Sequence, residues 1–171
     1  MRTQVRRPGP AGLKPRGESR PILLATFFSV PFDHDASSFA VDSAVEAGQP
    51  LIVANVIELP PLPMSVRLGH DHLDDPPDIE AALRAPAELA SSLGVRVERL
   101  LVRSPRPVTA LLQLTAERRP GLLVLGSDSG RLSRRFFRRA WRALREDAPC
   151  LVWRAGEDYE PPAGGTAGAT G

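Results

Sequence analysis

Leu122-Leu123-Val124-Leu125-Gly126-Ser127-Asp128-Ser129-Gly130, followed by Arg131 to Arg145 and then Ala148-Pro149-Cys150-Leu151-Val152-Trp153, decides the fold. The first four residues read as a buried strand and the glycine-bounded five as a turn. Arg131 to Arg145 reads as a helix, which Ala148-Pro149 ends before a second apolar strand from Cys150 to Trp153. Strand, glycine turn and helix in that order are what phosphate-binding α/β folds use, because a helix start offers free N–H groups and a partial positive charge.

Working outward, the same alternation repeats. Ile22 to Phe28 predicts a first strand, and Asp35 or Ser37 can cap a helix with Phe39, Val41, Ala44 and Val45 on one side. Gly48-Gln49-Pro50 closes that helix, and Leu51 to Ile57 is a second strand. A proline-rich irregular segment runs from Leu59 to Pro77. Asp78 to Leu93 predicts a helix bent or interrupted at Pro86. Val95 to Val102 is a third strand, and Pro107 opens a helix through Arg119. Continuous apolar strands alternating with helices predict an α/β fold: a parallel sheet between two helical layers, α/β/α. Ligands of such sheets bind beyond the carboxyl ends of the strands, where strand order reverses.

The chain has 171 residues and 42% hydrophobic content, enough for one aliphatic core. We place the domain at 21–156, between a basic tail at 1–20 and a second tail at 157–171, both too rich in Pro, Gly and charge to pack. Cys150 is the only cysteine, which excludes an internal disulfide and fits a cytoplasmic setting. No apolar run reaches the roughly 20 residues of a membrane span, and the basic N-terminus lacks the apolar stretch of a secretory signal.

With the strands placed, residues 20–154 resemble the universal stress protein family. Arg20-Pro21-Ile22-Leu23-Leu24-Ala25-Thr26 looks like the family's opening strand. Ala116 through Gly126 looks like its passage from third helix to fourth strand, and Ala148-Pro149-Cys150 with the strand after it like its closing signature. The resemblance implies a five-stranded parallel sheet in the order 3-2-1-4-5 and a homodimer joined along the fifth strands, here Leu151, Val152 and Trp153.

Nucleotide-binding members carry Asp-Gly-Ser at the end of the first strand, where this chain reads Phe27-Phe28-Ser29. They also carry Gly-x-x-Gly, nine residues and Gly-Ser or Gly-Thr. Gly126 matches the first glycine, Gly130 falls one position late, and Arg138-Arg139 stand where the Gly-Ser belongs. The nucleotide- or anion-binding positions so implied are Thr26, Phe27, Val56, Gly126, Ser127, Ser129, Gly130, Arg138 and Arg139. A Cβ blocks close approach of backbone to phosphate, whereas guanidinium groups supply bidentate contacts instead. These replacements disfavour ATP as a cofactor and point to a member that does not bind it, or to an altered anion site. Asp128 adds to this, since its carboxylate competes with a phosphate for the turn's N–H groups.

Charge is distributed unevenly. Arg131, Arg134, Arg135, Arg138, Arg139, Arg142 and Arg145 fall within an arc of roughly 140° on a helix of about 100° per residue. Leu132, Phe136, Phe137, Ala140, Trp141, Ala143 and Leu144 lie opposite. No acid occurs in that segment, although 20 acids stand against 22 basic residues overall. Lys14 is the only lysine, an arginine bias that fits a GC-rich coding sequence. Such a run is most often a solvated helix face; the alternative is a surface for phosphates, nucleic acid or an acidic protein.

His70-Asp71-His72 with Asp74 and Asp75 has no standard metal-site spacing and reads as a solvated loop. Asp33-His34-Asp35 reads as a polar lead-in to the first helix, and Cys150 as a small hydrophobe. No nucleophile–base pair, paired carboxylates or Walker-type loop is visible. The sequence therefore predicts a cytoplasmic, non-catalytic binding module. The alternative is an anion-, nucleic-acid- or acidic-partner-binding module using the arginine helix.

Overall fold

The structure, a computed structural model, describes residues 19–59 and 77–155. Five strands, β1 (Ile22–Phe27), β2 (Leu51–Glu58), β3 (Val97–Ser104), β4 (Leu122–Leu125) and β5 (Leu151–Arg154), form one sheet in the order β3-β2-β1-β4-β5. Every pairing is parallel, with Ile22 opposite both Leu51 and Leu122. Four helices connect them: α1 (His34–Ala47), α2 (Pro77–Ser92), α3 (Pro107–Arg118) and α4 (Arg134–Asp147). This is the three-layer α/β/α arrangement read from the sequence.

The pleat divides the core in two. Leu23, Ala25 and Phe27 of β1 pack with Ile52, Ala54 and Val56 under α3 and α4. Ile22 and Leu24 pack with Leu51 and Val53 under α1 and α2. Because both faces of the inner strands are covered, β1 and most of β2 are uninterrupted buried runs, apolar except at Thr26 and Asn55, rather than alternating ones.

Several sequence expectations need correction. Asp33, not Asp35 or Ser37, caps α1: its Oδ1 accepts from the Ala36 N–H at 3.0 Å. The buried side of α1 is Ala36, Ala40, Val41 and Ala44, while Phe39 and Val45 are exposed. Helix α2 is not interrupted at Pro86 but continues through it to Ser92, with Leu83, Ala87 and Ala90 buried in the core on that face of the sheet. β3 lies two residues later than expected because its register follows Leu51 opposite Val97. Helix α4 begins at Arg134, so Arg131 belongs to the preceding turn, where its N–H bonds to the Asp128 carbonyl.

The tails expected at 1–20 and 157–171 fall outside the described residues apart from Ser19 and Arg20. The segment from Pro60 to Pro76, with His70, His72, Asp74 and Asp75, falls outside them entirely.

Candidate functional site

β1 and β4 are neighbours, yet the chain leaves β1 for α1 on one face and β4 for α4 on the other. Their carboxyl ends are therefore the switch point where a parallel sheet holds a ligand. Of the nine nucleotide or anion positions implied by the sequence, Thr26 and Phe27 end β1, Gly126, Ser127, Ser129 and Gly130 lie in the β4–α4 connection, and Arg138 and Arg139 lie in α4; Val56 lies on β2, opposite Phe27.

The loops leaving the two strands are joined to each other. Asp33 donates its N–H to the Gly126 carbonyl at 2.7 Å, and Asp128 donates to the Pro31 carbonyl at 3.1 Å. Phe32 and Ser127 form an antiparallel bridge between those bonds. Gly126 in turn donates to the Ala25 carbonyl at 2.8 Å, extending the β1–β4 ladder past its last formal pair.

Side chains complete the closure. Thr26 is fully buried; its hydroxyl donates to the Val30 carbonyl at 2.7 Å and lies 3.0 Å from the Ser127 hydroxyl. Ser127 Oγ also accepts from the Phe27 N–H at 3.2 Å. Phe27 and Val56 are fully buried in the core. A Cβ on Gly126 would come within 2.6 Å of Leu24 Cδ1 and 2.7 Å of Phe32 Cδ1, so this position needs glycine for packing against the chain's own side chains. The turn beyond is closed internally as well, with Asp128 Oδ1 accepting from the Gly130 N–H at 2.9 Å. Ser129 is exposed.

Phe28 has a feature that local patterning missed. Its φ is 54° and that of Ser29 is 59°, both in the left-handed region. A bulky residue rarely adopts this conformation, which glycine enters freely. By the family resemblance Phe28 stands where the nucleotide-binding motif has glycine, and here it holds a backbone conformation that glycine enters freely while carrying a phenyl ring. The Phe28 N–H donates to the Val56 carbonyl at 3.0 Å, and the Ser29 N–H to Asn55 Oδ1 at 3.1 Å. The ring lies 4.7 Å from that of Phe136, which meets Phe27 edge-on at 5.1 Å. Three phenyl rings thus occupy the space between the ends of β1 and the first turn of α4.

Arg138 and Arg139 sit in the body of α4 and are exposed. Arg139 lines an open groove of about 340 Å³ beside the three rings, together with Glu58, Arg106, Thr109 and Phe136. Its guanidinium carbon is 5.9 Å from the Phe136 ring centre. Arg138 does not line it.

At the far edge of the sheet, β5 pairs only with β4. Leu151 is 74% exposed, and Trp153 stacks on Phe39 with ring centres 4.2 Å apart. Burial raises the Cys150 thiol above its ordinary pKa, outweighing a hydrogen bond with the Leu123 backbone. Among the described residues no group of three His, Cys, Asp or Glu side chains is arranged to hold a metal, and no helix is long and apolar enough to cross a membrane.

The fold is shared with solved proteins of low sequence identity. A universal stress protein in complex with cAMP matches at 20% identity and a TM-score of 0.54, covering 80% of this chain and 97% of that one. The universal stress protein from Archaeoglobus fulgidus in complex with dAMP matches at 18% identity and 0.52, over 79% and 96%. The protein MJ0577 gives 14% identity and a TM-score of 0.59, over 79% and 94%. No curated protein sequence matches significantly. The sequence pattern of one family spans residues 18–154, the whole of the sheet and its helices. On that match the chain belongs to the universal stress protein family.

Proposed function

We propose that this protein is a non-catalytic universal stress protein module whose β1–β4 crevice is closed by its own residues, and which therefore acts through its surfaces rather than through bound ATP. The reading rests on one observation: the two loops that would have to part around a nucleotide are bonded to each other, Asp33 to Gly126 and Asp128 to Pro31. Opening them would break both bonds and leave the Thr26 and Ser127 hydroxyls to find new partners, each at a cost of about 1–3 kcal/mol if unmet. The strand ends also offer little for catalysis, since Thr26 and Ser127 are committed to each other and Phe27 replaces the acid.

The exposed apolar edge at Leu151, with Val152 and Trp153 beside it, supports a homodimer joined through β5, because an uncovered edge strand otherwise invites uncontrolled pairing. A cytoplasmic setting agrees with a single, free cysteine.

Relatives with cAMP or dAMP bound make adenine nucleotides the ligands to test. Calorimetric titration with ATP and magnesium, of the natural protein and of an Arg138→Ala/Arg139→Ala variant, gives no saturable heat in either case on this account. Micromolar binding lost in the variant would make the two arginines a phosphate clamp. Micromolar binding retained would place the nucleotide at Gly126–Gly130. Either result overturns the closed crevice.

A further inference from the structure

The outward face of α4 is not accounted for by the closed crevice. Arg134, Arg135, Arg138, Arg139 and Arg142 are all exposed, while Phe137, Ala140, Trp141 and Leu144 are buried against the sheet. None of these five forms an ion pair among the described residues. Arginines elsewhere in the molecule do find carboxylates. Arg84 lies between Glu80 and Glu88 on α2, Arg118 holds Glu98 with two bonds of 2.8 and 3.0 Å, and Arg131 reaches Asp128 at 3.6 Å. The preference for arginine over lysine is general to the chain, which has Lys14 as its one lysine. It does not explain why acids, nearly as numerous as basic residues in the chain, are missing from this one face.

The row runs about 12 Å along the helix from Arg134 to Arg142, with steps of about 6 Å between i and i+4. Along its middle, at Arg139, the row borders the groove lined by Phe136, Arg139, Arg106 and Glu58. A line of guanidinium groups leading to a partly exposed aromatic ring has the two parts of a single-strand site: cations that track the backbone and a platform on which a base stacks. Glu58, out of place in a phosphate pocket, suits the exocyclic amino group of a base, which a carboxylate accepts. Apart from the half-buried Phe136 and Ala143 the face presents only arginines, too little apolar surface to insert into a lipid layer or to form the clustered apolar centre of a protein–protein hot spot.

From these observations we propose that the α4 arginine face and the Phe136 groove together bind single-stranded nucleic acid, the arginines holding the phosphates and Phe136 stacking a base. About four phosphate contacts give a slope near −2.8 for log K against log salt on a single strand, which is roughly a 50-fold loss over a fourfold rise in salt.

The test is fluorescence anisotropy with the full chain and labelled single-stranded oligonucleotides of mixed sequence, compared with the same sequence as duplex. Arg135→Glu/Arg138→Glu/Arg142→Glu should weaken binding at least tenfold. These are exposed positions on which the core does not depend, and circular dichroism checks the fold. Phe136→Leu keeps an apolar side chain toward Phe27 and should weaken single-strand binding about fivefold or more while leaving duplex binding as it was. Binding of duplex as tight as of single strand, or insensitivity to Phe136→Leu, overturns the single-strand proposal. So does equal competition by polyglutamate, which would indicate an acidic protein partner. Equal capture by anionic vesicles, or no saturable binding, overturns it as well.

Discussion

Truncating Phe28 separates two effects that usually run together. Phe28→Ala and Phe28→Gly both delete the ring that lies 4.7 Å from Phe136 and 6.0 Å from Phe27, so that loss is common to both and cancels in their difference. What remains is the backbone, held at φ 54°. An L-residue in the left-handed region carries about 1–2 kcal/mol that glycine does not. Against this, glycine loses about 0.4–1 kcal/mol more conformational entropy on folding than alanine does. The glycine variant should therefore be the more stable by about 0.5–1 kcal/mol, the reverse of the usual order. For a chain of this size that is a Tm difference of about 1–4 °C. Urea unfolding followed by circular dichroism, with m-values compared, measures it. An alanine variant equal to or more stable than the glycine variant would show that the strained turn after β1 does not exist, and with it the account of why this position favours glycine.

Other expectations follow from the same region. Gly126→Ala drives a methyl against Leu24 and Phe32 and should cost about 1–3 kcal/mol, whereas Gly130→Ala meets only the movable Asp128 carboxylate at 3.2 Å and should stay within about 0.5 kcal/mol; thermal unfolding of the pair distinguishes them. Thr26→Val keeps the shape but strands the Val30 carbonyl and loosens Ser127, costing about 1–3 kcal/mol, and combining it with Ser127→Ala should cost less than the sum of the two. The Cys150 thiol, raised by burial, should alkylate slowly in the native protein near neutral pH and rapidly after unfolding. Because its folded pKa lies above the unfolded value, its contribution to stability is complete below the ordinary thiol range of about 8.5 and is lost as pH rises through the folded pKa, which urea melts across alkaline pH would register.

The fold was legible because the inner strands are buried on both sides and read as unbroken apolar runs, while glycine and proline mark most of the helix ends. Edges and caps were less so. β3 is half exposed, so its limits come from pairing with β2 rather than from its own residues. Three residues near the start of α1 can serve as caps, and only the path of the chain after β1 selects Asp33.

The closed crevice was hidden for a different reason. Its bonds join Pro31, Phe32 and Asp33 to residues about 95 positions away, and no local pattern encodes that meeting. The loss of the acid and glycine at Phe27-Phe28 signalled only that the usual ligand contacts had changed. That Phe28 has a left-handed backbone, and that Gly126 serves packing, required coordinates. The arginine stripe was legible from its spacing, but the contrast with paired arginines on α2 and α3 was not.

Hydrogen exchange read amide by amide, with and without millimolar ATP, tests the closed crevice most directly. The account predicts that the amides of Phe27, Gly126 and Asp33, bonded to Ser127 Oγ and to the Ala25 and Gly126 carbonyls, are strongly protected in the free protein and unchanged by nucleotide. Fast exchange at these amides in the free protein, slowed when ATP is added, would show that the loops part around a nucleotide and would contradict it.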